Sequence, residues 1–446
     1  MRNLAYVALF ASAALYAQTA TVATPPPLKD VAALSKSFDS YFSAYAASKD
    51  FSGVVLLAQG DKVLVQKTYG MADAARRVPN RIDTAFRIAS LSKTFTGAGI
   101  AILMERGKVG LKDPLSKYVP DFPNGQNITI EQLLSHTSGV GQLDSPETSR
   151  NCLPLAEMAR RIGAIKPMFA PGTNDAYSNE GYVLLAAVIE QVSGTSYDRF
   201  LRQNIFTPLH MEHTGIMCNR WPVAKHASGS ISGLGNSVSP LPYEEAGWNG
   251  PGSIYSTAPD LLIWLRAIEA NKLFAFDKLR YPYGWGRRNY SGRKLVEQSG
   301  ELEGYNSQIS LYFADKIYFV FLSNIESGMF NRLPKDLESI AFGIGEPSSP
   351  AKAPEIAEPR LHLADFGGDY TSPQFPAILH VNVKDGRLWM HWSESAFWRP
   401  LIRTGNDDFY MRAEYAAIRF KRDSAGKVIT SDWIWGDQPP LVMTRK

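Results

Sequence analysis

Ser90-Leu91-Ser92-Lys93 sets a hydroxyl and an amine three residues apart, a spacing that on a helix puts both on one face and lets the amine reach the hydroxyl. A serine hydroxyl becomes a useful nucleophile only with such an activating neighbour. A helix N-terminus at the same place adds partial positive charge, which favours both an alkoxide and an acyl oxyanion. Ser-x-x-Lys alone is a weak signal, since Ser291 to Lys294, Ser349 to Lys352 and Ser424 to Lys427 match it too. Context separates them. Ser349 carries Pro350 inside the motif, Ser424 lies in a hairpin turn, and Ser291 stands with Gly292 before a strand. Ser90 opens a run, through Met104, in which apolar and small residues recur at helical spacing before Gly107 stops it. An N-cap would account for a serine there without any chemistry.

A second element favours chemistry. Tyr177-Ser178-Asn179, the one Tyr-x-Asn of the chain, follows Ala170-Pro171-Gly172-Thr173 and precedes a long helical pattern, so it belongs to a loop held by rigid structure. A tyrosine beside a lysine can share its proton, acting as base toward Ser90 and later as acid toward a leaving group. Asn179 is placed to hold Lys93 and a substrate amide. The Gly-x-Ser-x-Gly elbow of the α/β-hydrolases does not occur.

The elements that must position these groups read as α+β. Val54 to Ala58 and Val63 to Gln66 flank Gln59-Gly60-Asp61-Lys62 as a β-hairpin. Helices are predicted at Ile130 to Leu134, Glu180 to Val192, Tyr197 to Ile205 and Ala258 to Ile268. Strands are predicted at Lys294 to Gln298, Gln308 to Phe313 and Ile317 to Leu322, the last two joined through Ala314-Asp315-Lys316. Residues 345–360, with Pro347, Pro350, Pro354 and Pro359 among Gly, Ser, Ala and Glu, read as a linker between a first domain, 30–344, and a second, 361–446. Beyond it, β-prone segments at Ala377 to Val383, Arg387 to Trp392, Asp408 to Arg412, Ala417 to Lys421 and Ser431 to Trp435 predict a small antiparallel barrel or sheet. Trp389, Trp392, Trp398, Trp433 and Trp435 either line a pocket there or fill its core.

With these motifs in place the chain resembles the serine β-lactamase and penicillin-binding-protein superfamily, in its class C-like branch of esterases, D-aminopeptidases and related peptidases. The resemblance spans about Phe51 to Asn324. It rests on Phe86-Arg87-Ile88-Ala89-Ser90-Leu91-Ser92-Lys93, Leu133-Leu134-Ser135-His136-Thr137-Ser138-Gly139, Tyr177-Ser178-Asn179 and Ser256-Thr257-Ala258-Pro259-Asp260. It implies an antiparallel sheet flanked by helices with a helical subdomain, and an acyl-enzyme on Ser90. In such proteins the segment around His136 is a structural turn. The third motif of the family is a cation, then Ser or Thr, then Gly on a strand; here Gln298-Ser299-Gly300 stands in its place, followed by Glu301. The resemblance assigns substrate binding to Asn179, Gln298, Ser299 and Gly300, and the oxyanion hole to the backbone amides of Ser90 and Glu301. A neutral Gln298 forfeits an attraction to a substrate carboxylate of roughly 4 kcal/mol at about 4 Å and an effective dielectric near 20, before screening and desolvation. That argues against an efficient β-lactamase or carboxypeptidase. The C-terminal segment resembles, in size and position, the lipocalin-like module that follows some of these catalytic domains.

Composition bounds the rest. Apolar residues at 45% and charged residues at 20% of 446 describe an ordinary globular chain, and 47 Lys plus Arg against 43 Asp plus Glu leave +4, so no nucleic-acid partner is expected. Arg2 followed by an apolar run from Leu4 to Ala17 is too short to span a bilayer and reads as a secretory signal over 1–17, predicting a periplasmic or secreted mature chain with no transmembrane anchor. Export makes a disulfide between Cys152 and Cys218 conceivable, against two ordinary buried thiols. No metal and no cofactor is expected, since seven scattered His and two Cys offer no ligand spacing, His210-Met211-Glu212-His213 reading as a loop. The expected activity is that of a serine hydrolase cleaving peptides, some with D-residues, or small esters. The alternatives are a β-lactamase or DD-peptidase, and a binding or sensor protein that acylates weakly.

Overall fold

The computed structural model describes residues 27–143, 153–217, 224–232, 238–240, 248–276, 283–350, 362–393, 398–435 and 438–446. The expected signal 1–17, Cys152, Cys218 and most of the linker lie outside these residues.

A six-stranded antiparallel sheet carries the first part of the chain. Its strands are β1 (Gly53–Gln59), β2 (Lys62–Tyr69), β3 (Gly286–Tyr290), β4 (Arg293–Leu302), β5 (Tyr305–Tyr312) and β6 (Ile317–Ser323), in the order β3-β4-β5-β6-β1-β2. Both faces of its centre are buried, and the period of two in the sequence sorts the side chains between them. Val54, Leu56, Ala58, Val320 and Leu322 enter one core, while Val55, Leu57, Phe319 and Phe321 enter the other. Two helices cover the second face: α1 (Val31–Ala47) and, near the end of this region, a helix over Leu333–Phe342. α1 went unpredicted. Asp30 caps it by accepting from the Ala32 and Ala33 amides, and Leu34, Phe38, Tyr41, Phe42 and Tyr45 form its buried stripe.

The first face packs against the helical part, where the predicted helices appear together with an unpredicted one over Leu155–Gly163. α2 (Ser92–Glu105) follows a tight turn over Ala89–Leu91, α3 is Ile130–Leu134, α4 Leu155–Gly163, α5 Asn179–Ser193, α6 Tyr197–Leu201 and α7 Ala258–Glu269. α8 is the Leu333–Phe342 helix. α2 is buried along nearly its whole length, from Ser92 to Leu103. α5 is its buried neighbour, with every side chain from Glu180 to Ile189 inside. Lys93 on α2 and Asn179 on α5 therefore rest on helices that cannot shift without disrupting the core.

The third predicted strand is longer than expected, β4 running on to Leu302 past the Gln298-Ser299-Gly300 segment. The chain after the linker forms a closed, eight-stranded, up-and-down antiparallel barrel: β7 (Gly368–Ser372), β8 (Phe375–Lys384), β9 (Arg387–Trp392), β10 (Arg399–Arg403), β11 (Asp408–Met411), β12 (Ala416–Arg422), β13 (Val428–Trp435) and β14 (Leu441–Arg445). Leu379, Val381, Leu388, Met390, Leu401, Phe409, Met411, Ile418, Phe420, Trp433 and Met443 fill its interior. Trp433 is thus core, whereas Trp392 and Trp435 are partly buried beside it and Trp398 is exposed against His391. The start of the Pro-rich segment is not free. Ser348 donates its amide and hydroxyl to Asp336 on α8, the carboxylate that also accepts from Tyr41 at 2.6 Å.

Candidate active site

Ser90 sits in the turn that feeds α2, beside Ala89, whose φ of 46° places a non-glycine residue in the left-handed region. Such strain costs on the order of 1–2 kcal/mol and persists only where surroundings enforce it. They do so from both sides. The Ile88 amide donates to the Ile254 carbonyl at 3.1 Å, and the Ile254 amide donates back to the Ser92 hydroxyl at 3.1 Å. The Ser256-Thr257-Ala258-Pro259-Asp260 motif locks the short strand Ile254–Ser256 to which Ile254 belongs: Thr257 caps α7 through the Asp260 amide, and Asp260 accepts from Thr214 at 2.7 Å.

The structure brings together the residues that the sequence singles out. Ser90 Oγ lies 2.7 Å from the Tyr177 hydroxyl and 3.1 Å from Lys93 Nζ. Its hydroxyl is engaged by these two groups and not by the helix amides, so it is no N-cap. Lys93 Nζ also donates to Asn179 Oδ1 at 2.7 Å and to the Pro251 carbonyl at 3.3 Å, and it lies 4.6 Å from the Tyr177 ring centre. Pro251 was invisible beforehand, because a backbone acceptor leaves no mark in residue type.

Burial sets the electrostatics. Lys93 is 1% exposed, and loss of hydration pushes its ammonium well below the ordinary lysine range, with Glu180 partly countering. The same burial pushes the Tyr177 phenol above its ordinary range. Glu180, next to the Tyr177-Ser178-Asn179 motif, was not predicted. Its buried carboxyl is pushed up by burial and restrained by the Leu143 amide and the Ser178 hydroxyl, which donate to it at 2.8 and 3.1 Å.

His136 does not face Ser90 chemistry. Its Nδ1 accepts the Ser178 amide at 3.0 Å, its ring stacks on Tyr177 at 4.7 Å, and burial pushes its pKa down to about 3. Its backbone carbonyl accepts from Ala176, and the Thr137 carbonyl accepts from Gly172, so this turn fastens the loop that carries Tyr177. The structural role expected of the segment is the one observed.

β4 passes directly against the nucleophile. Gly300 is the point of closest approach: a Cβ there would stand 2.2 Å from the Ile88 carbonyl oxygen and 3.0 Å from the Ser90 nitrogen. Glu301 follows, opposite Asn306 on β5. The Gln298 amide is turned inward, donating to the Ser90 carbonyl at 3.4 Å and to the Ser299 carbonyl at 3.1 Å. Because backbone cannot yield to a new methyl, Gly300→Ala is expected to push β4 away from Ser90 and to lower ester turnover by at least about a hundredfold, comparable to losing an oxyanion donor. Steady-state assays of the purified variant, with its circular dichroism spectrum, check this.

Comparisons with known proteins agree with the geometry. Residues 38–339 match the family model described as Beta-lactamase. Penicillin-binding protein 4* of Bacillus subtilis (strain 168) is 28% identical over 425 residues, covering 86% of this chain and 93% of that protein. Among solved structures, a penicillin binding protein from Bacillus halodurans is 26% identical with a TM-score of 0.59, covering 69% of this chain and 98% of its own. An octameric penicillin-binding protein homologue from Pyrococcus abyssi is 23% identical with a TM-score of 0.59, a likeness of fold that covers 93% of this chain and all of the other.

Proposed function

The chain belongs to the β-lactamase family of serine hydrolases, and from that premise we propose that it is an exported hydrolase that forms an acyl-enzyme on Ser90 and cleaves peptides, including ones with D-residues, or small esters. One observation carries the reading: of the three groups around Lys93 Nζ, two are carbonyl oxygens that can only accept. A neutral amine satisfies both with its two N–H bonds and turns its lone pair to Ser90 Oγ. Burial favours that neutral form.

Lys93 then takes the Ser90 proton as Oγ bonds to the substrate carbonyl carbon, and the carbonyl electron pair moves onto oxygen, facing the Ser90 and Glu301 amides. When the tetrahedral intermediate collapses, the bond to the amine or alcohol breaks and the same proton leaves with it by way of the Tyr177 hydroxyl. Water attacks the ester in the reverse sense and restores Ser90. Asn179 fixes the amine, and Ser299 and Gly300 offer strand edge to the substrate backbone. Export rests on the 1–17 pattern in the sequence.

Intact-mass spectrometry of the protein after exposure to a fluorophosphonate, a p-nitrophenyl ester and a penicillin tests the proposal, with product release followed in parallel. A Ser90 adduct with fast ester release and slow penicillin turnover is the expected result. Absence of an adduct with all three reagents sinks it.

A second reading, a protein that acylates weakly and serves as a sensor, draws on Gln298, a neutral residue occupied by backbone acceptors. The substitution Gln298→Lys separates specificity from decay. A restored cation is expected to raise acylation by penicillin at least about tenfold relative to a neutral ester, well inside the Coulomb bound of roughly 4 kcal/mol. Comparing the two acylation rates by stopped flow checks this.

A further inference from the structure

The strand that carries Glu301 is tied to the barrel through one buried carboxylate. Three residues beyond Glu301, the buried Gly304 amide of the β4–β5 turn donates to Glu326 Oε2 at 3.2 Å. Glu326 lies on the short strand Ile325–Glu326 that follows β6. Its other oxygen, Oε1, accepts from Arg399 twice, Nε at 3.2 Å and Nη2 at 2.6 Å. Arg399 opens barrel strand β10, and both side chains are buried, at 7% and 6% exposure. The next amide, Ser327, donates to Asn306 Oδ1 at 3.2 Å, and Asn306 is the residue paired with Glu301. Hydrogen bonds to Glu326 and from the residue that follows it thus hold both sides of the β4–β5 end.

The barrel meets the same region elsewhere. Ile231, which neighbours Glu326 in a parallel pairing, packs into the barrel core, and Arg412 of the barrel forms a buried ion pair with Asp50 at 2.7 Å. Arg399 is therefore not a loose surface contact but one point of a fixed joint. Burial works against its charge, and Glu326, Glu414 and Glu301, in that order, outweigh burial. Two N–H donors converging on Oε1 hold that oxygen in place, which leaves Oε2 to meet the Gly304 amide.

We propose that Arg399 is a positioning residue, through which the barrel fixes Glu326 and the β4–β5 turn and thereby aims the Glu301 amide at the oxyanion. The inference rests on the acyl-enzyme reading of Ser90. It gives the C-terminal barrel a part in the reaction without placing any barrel side chain on the substrate.

The test uses the full-length chain and three variants: Glu326→Gln, which keeps an amide oxygen for Gly304 but loses the charged grip, Arg399→Met, and the two together. Arg399→Met alone leaves a buried carboxylate without its ionic partner, a loss large enough to threaten folding. The double variant removes both members of this ion pair, with Glu414 still held by the Trp435 indole N–H at 3.1 Å, and carries the test if the single one fails to fold. Each is labelled at Ser90 with a fluorophosphonate, and the ³¹P resonance of the adduct reports hydrogen bonding to the phosphonyl oxygen. In the double variant the resonance is expected to move toward its position in the denatured adduct. Labelling and ester kcat are expected to fall about tenfold to a hundredfold, less than outright loss of an oxyanion donor, with KM within about twofold. An unmoved resonance with unchanged kcat overturns the positioning role. A fall in thermal midpoint with neither change also overturns it, since Arg399 would then only staple the barrel. Failure of the unaltered chain to label at Ser90 overturns the acyl-enzyme reading first, and this inference with it.

Discussion

Replacing Ser90 by alanine is expected to lower p-nitrophenyl ester turnover by at least about a thousandfold, a barrier increase of roughly 4 kcal/mol, and to remove the fluorophosphonate adduct. Neither Ser92 nor Tyr177 can take its place. Ser92 faces the other way, buried and accepting the Ile254 amide, and the Tyr177 phenol is pushed above its ordinary range by burial. The fold is expected to survive. Lys93 keeps Asn179 Oδ1 and the Pro251 carbonyl, and only hydrogen bonds to a partly exposed hydroxyl are lost, so stability should change by about 1 kcal/mol or less. Steady-state rates, adduct masses and urea midpoints measured side by side check the three statements. Activity within tenfold of the unaltered chain would move the nucleophile away from Ser90.

The catalytic constellation was legible because its chemistry lives in side chains held within short motifs. Ser90 and Lys93 announce themselves by spacing at a helix start, and Tyr177 and Asn179 by their loop before α5. The rival motifs fell where expected: Ser291 lies in the β3–β4 turn and Ser424 in the β12–β13 turn. What stayed hidden was contributed by backbone or by distance in sequence. The Pro251 carbonyl is such a case, and so is the pairing of Arg399 with Glu326, 73 residues apart. No local pattern distinguishes a buried arginine that grips a carboxylate from one that waves in solvent.

The elements followed the same logic. Strands buried on both faces were placed to within three residues, β6 as an apolar run and β5 as a β-prone run in spite of Asn306, Ser307, Gln308 and Ser310. β10, Arg399-Pro400-Leu401-Ile402-Arg403, was missed because its burial is imposed by the barrel and the Glu326 pair while its composition looks like a turn. β3, Gly286-Arg287-Arg288-Asn289-Tyr290, is an edge strand whose polar side chains carry almost no period. α1 was the opposite case. Leu34, Phe38, Tyr41, Phe42 and Tyr45 after Asp30 give a capped helical stripe that residue spacing alone would have supported.

Lys93 offers the sharper test of mechanism, because arginine and methionine fail for different reasons. If Lys93 acted as a fixed cation steering substrate, Lys93→Arg would keep part of the activity and Lys93→Met would lose it. A guanidinium cannot surrender its proton in a protein, so a base at this position tolerates neither. The directions of the shifts point to the base: burial drives Lys93 toward the neutral amine and Tyr177 toward the protonated phenol, so of the two groups beside Ser90 the amine is the one ready to accept. Both variants are therefore expected to lose about a hundredfold to ten-thousandfold in kcat/KM, the range general-base catalysis contributes. The pH profile follows from the same sign. Activity of the unaltered chain should rise as pH rises through the depressed lysine pKa, where the amine sheds its proton, and level off above it. That rise should be absent from the residual activity of either variant. Retention of more than about a tenth of the activity in Lys93→Arg, with the rise still present, would take the proton from Ser90 by another route and leave Tyr177 as the base.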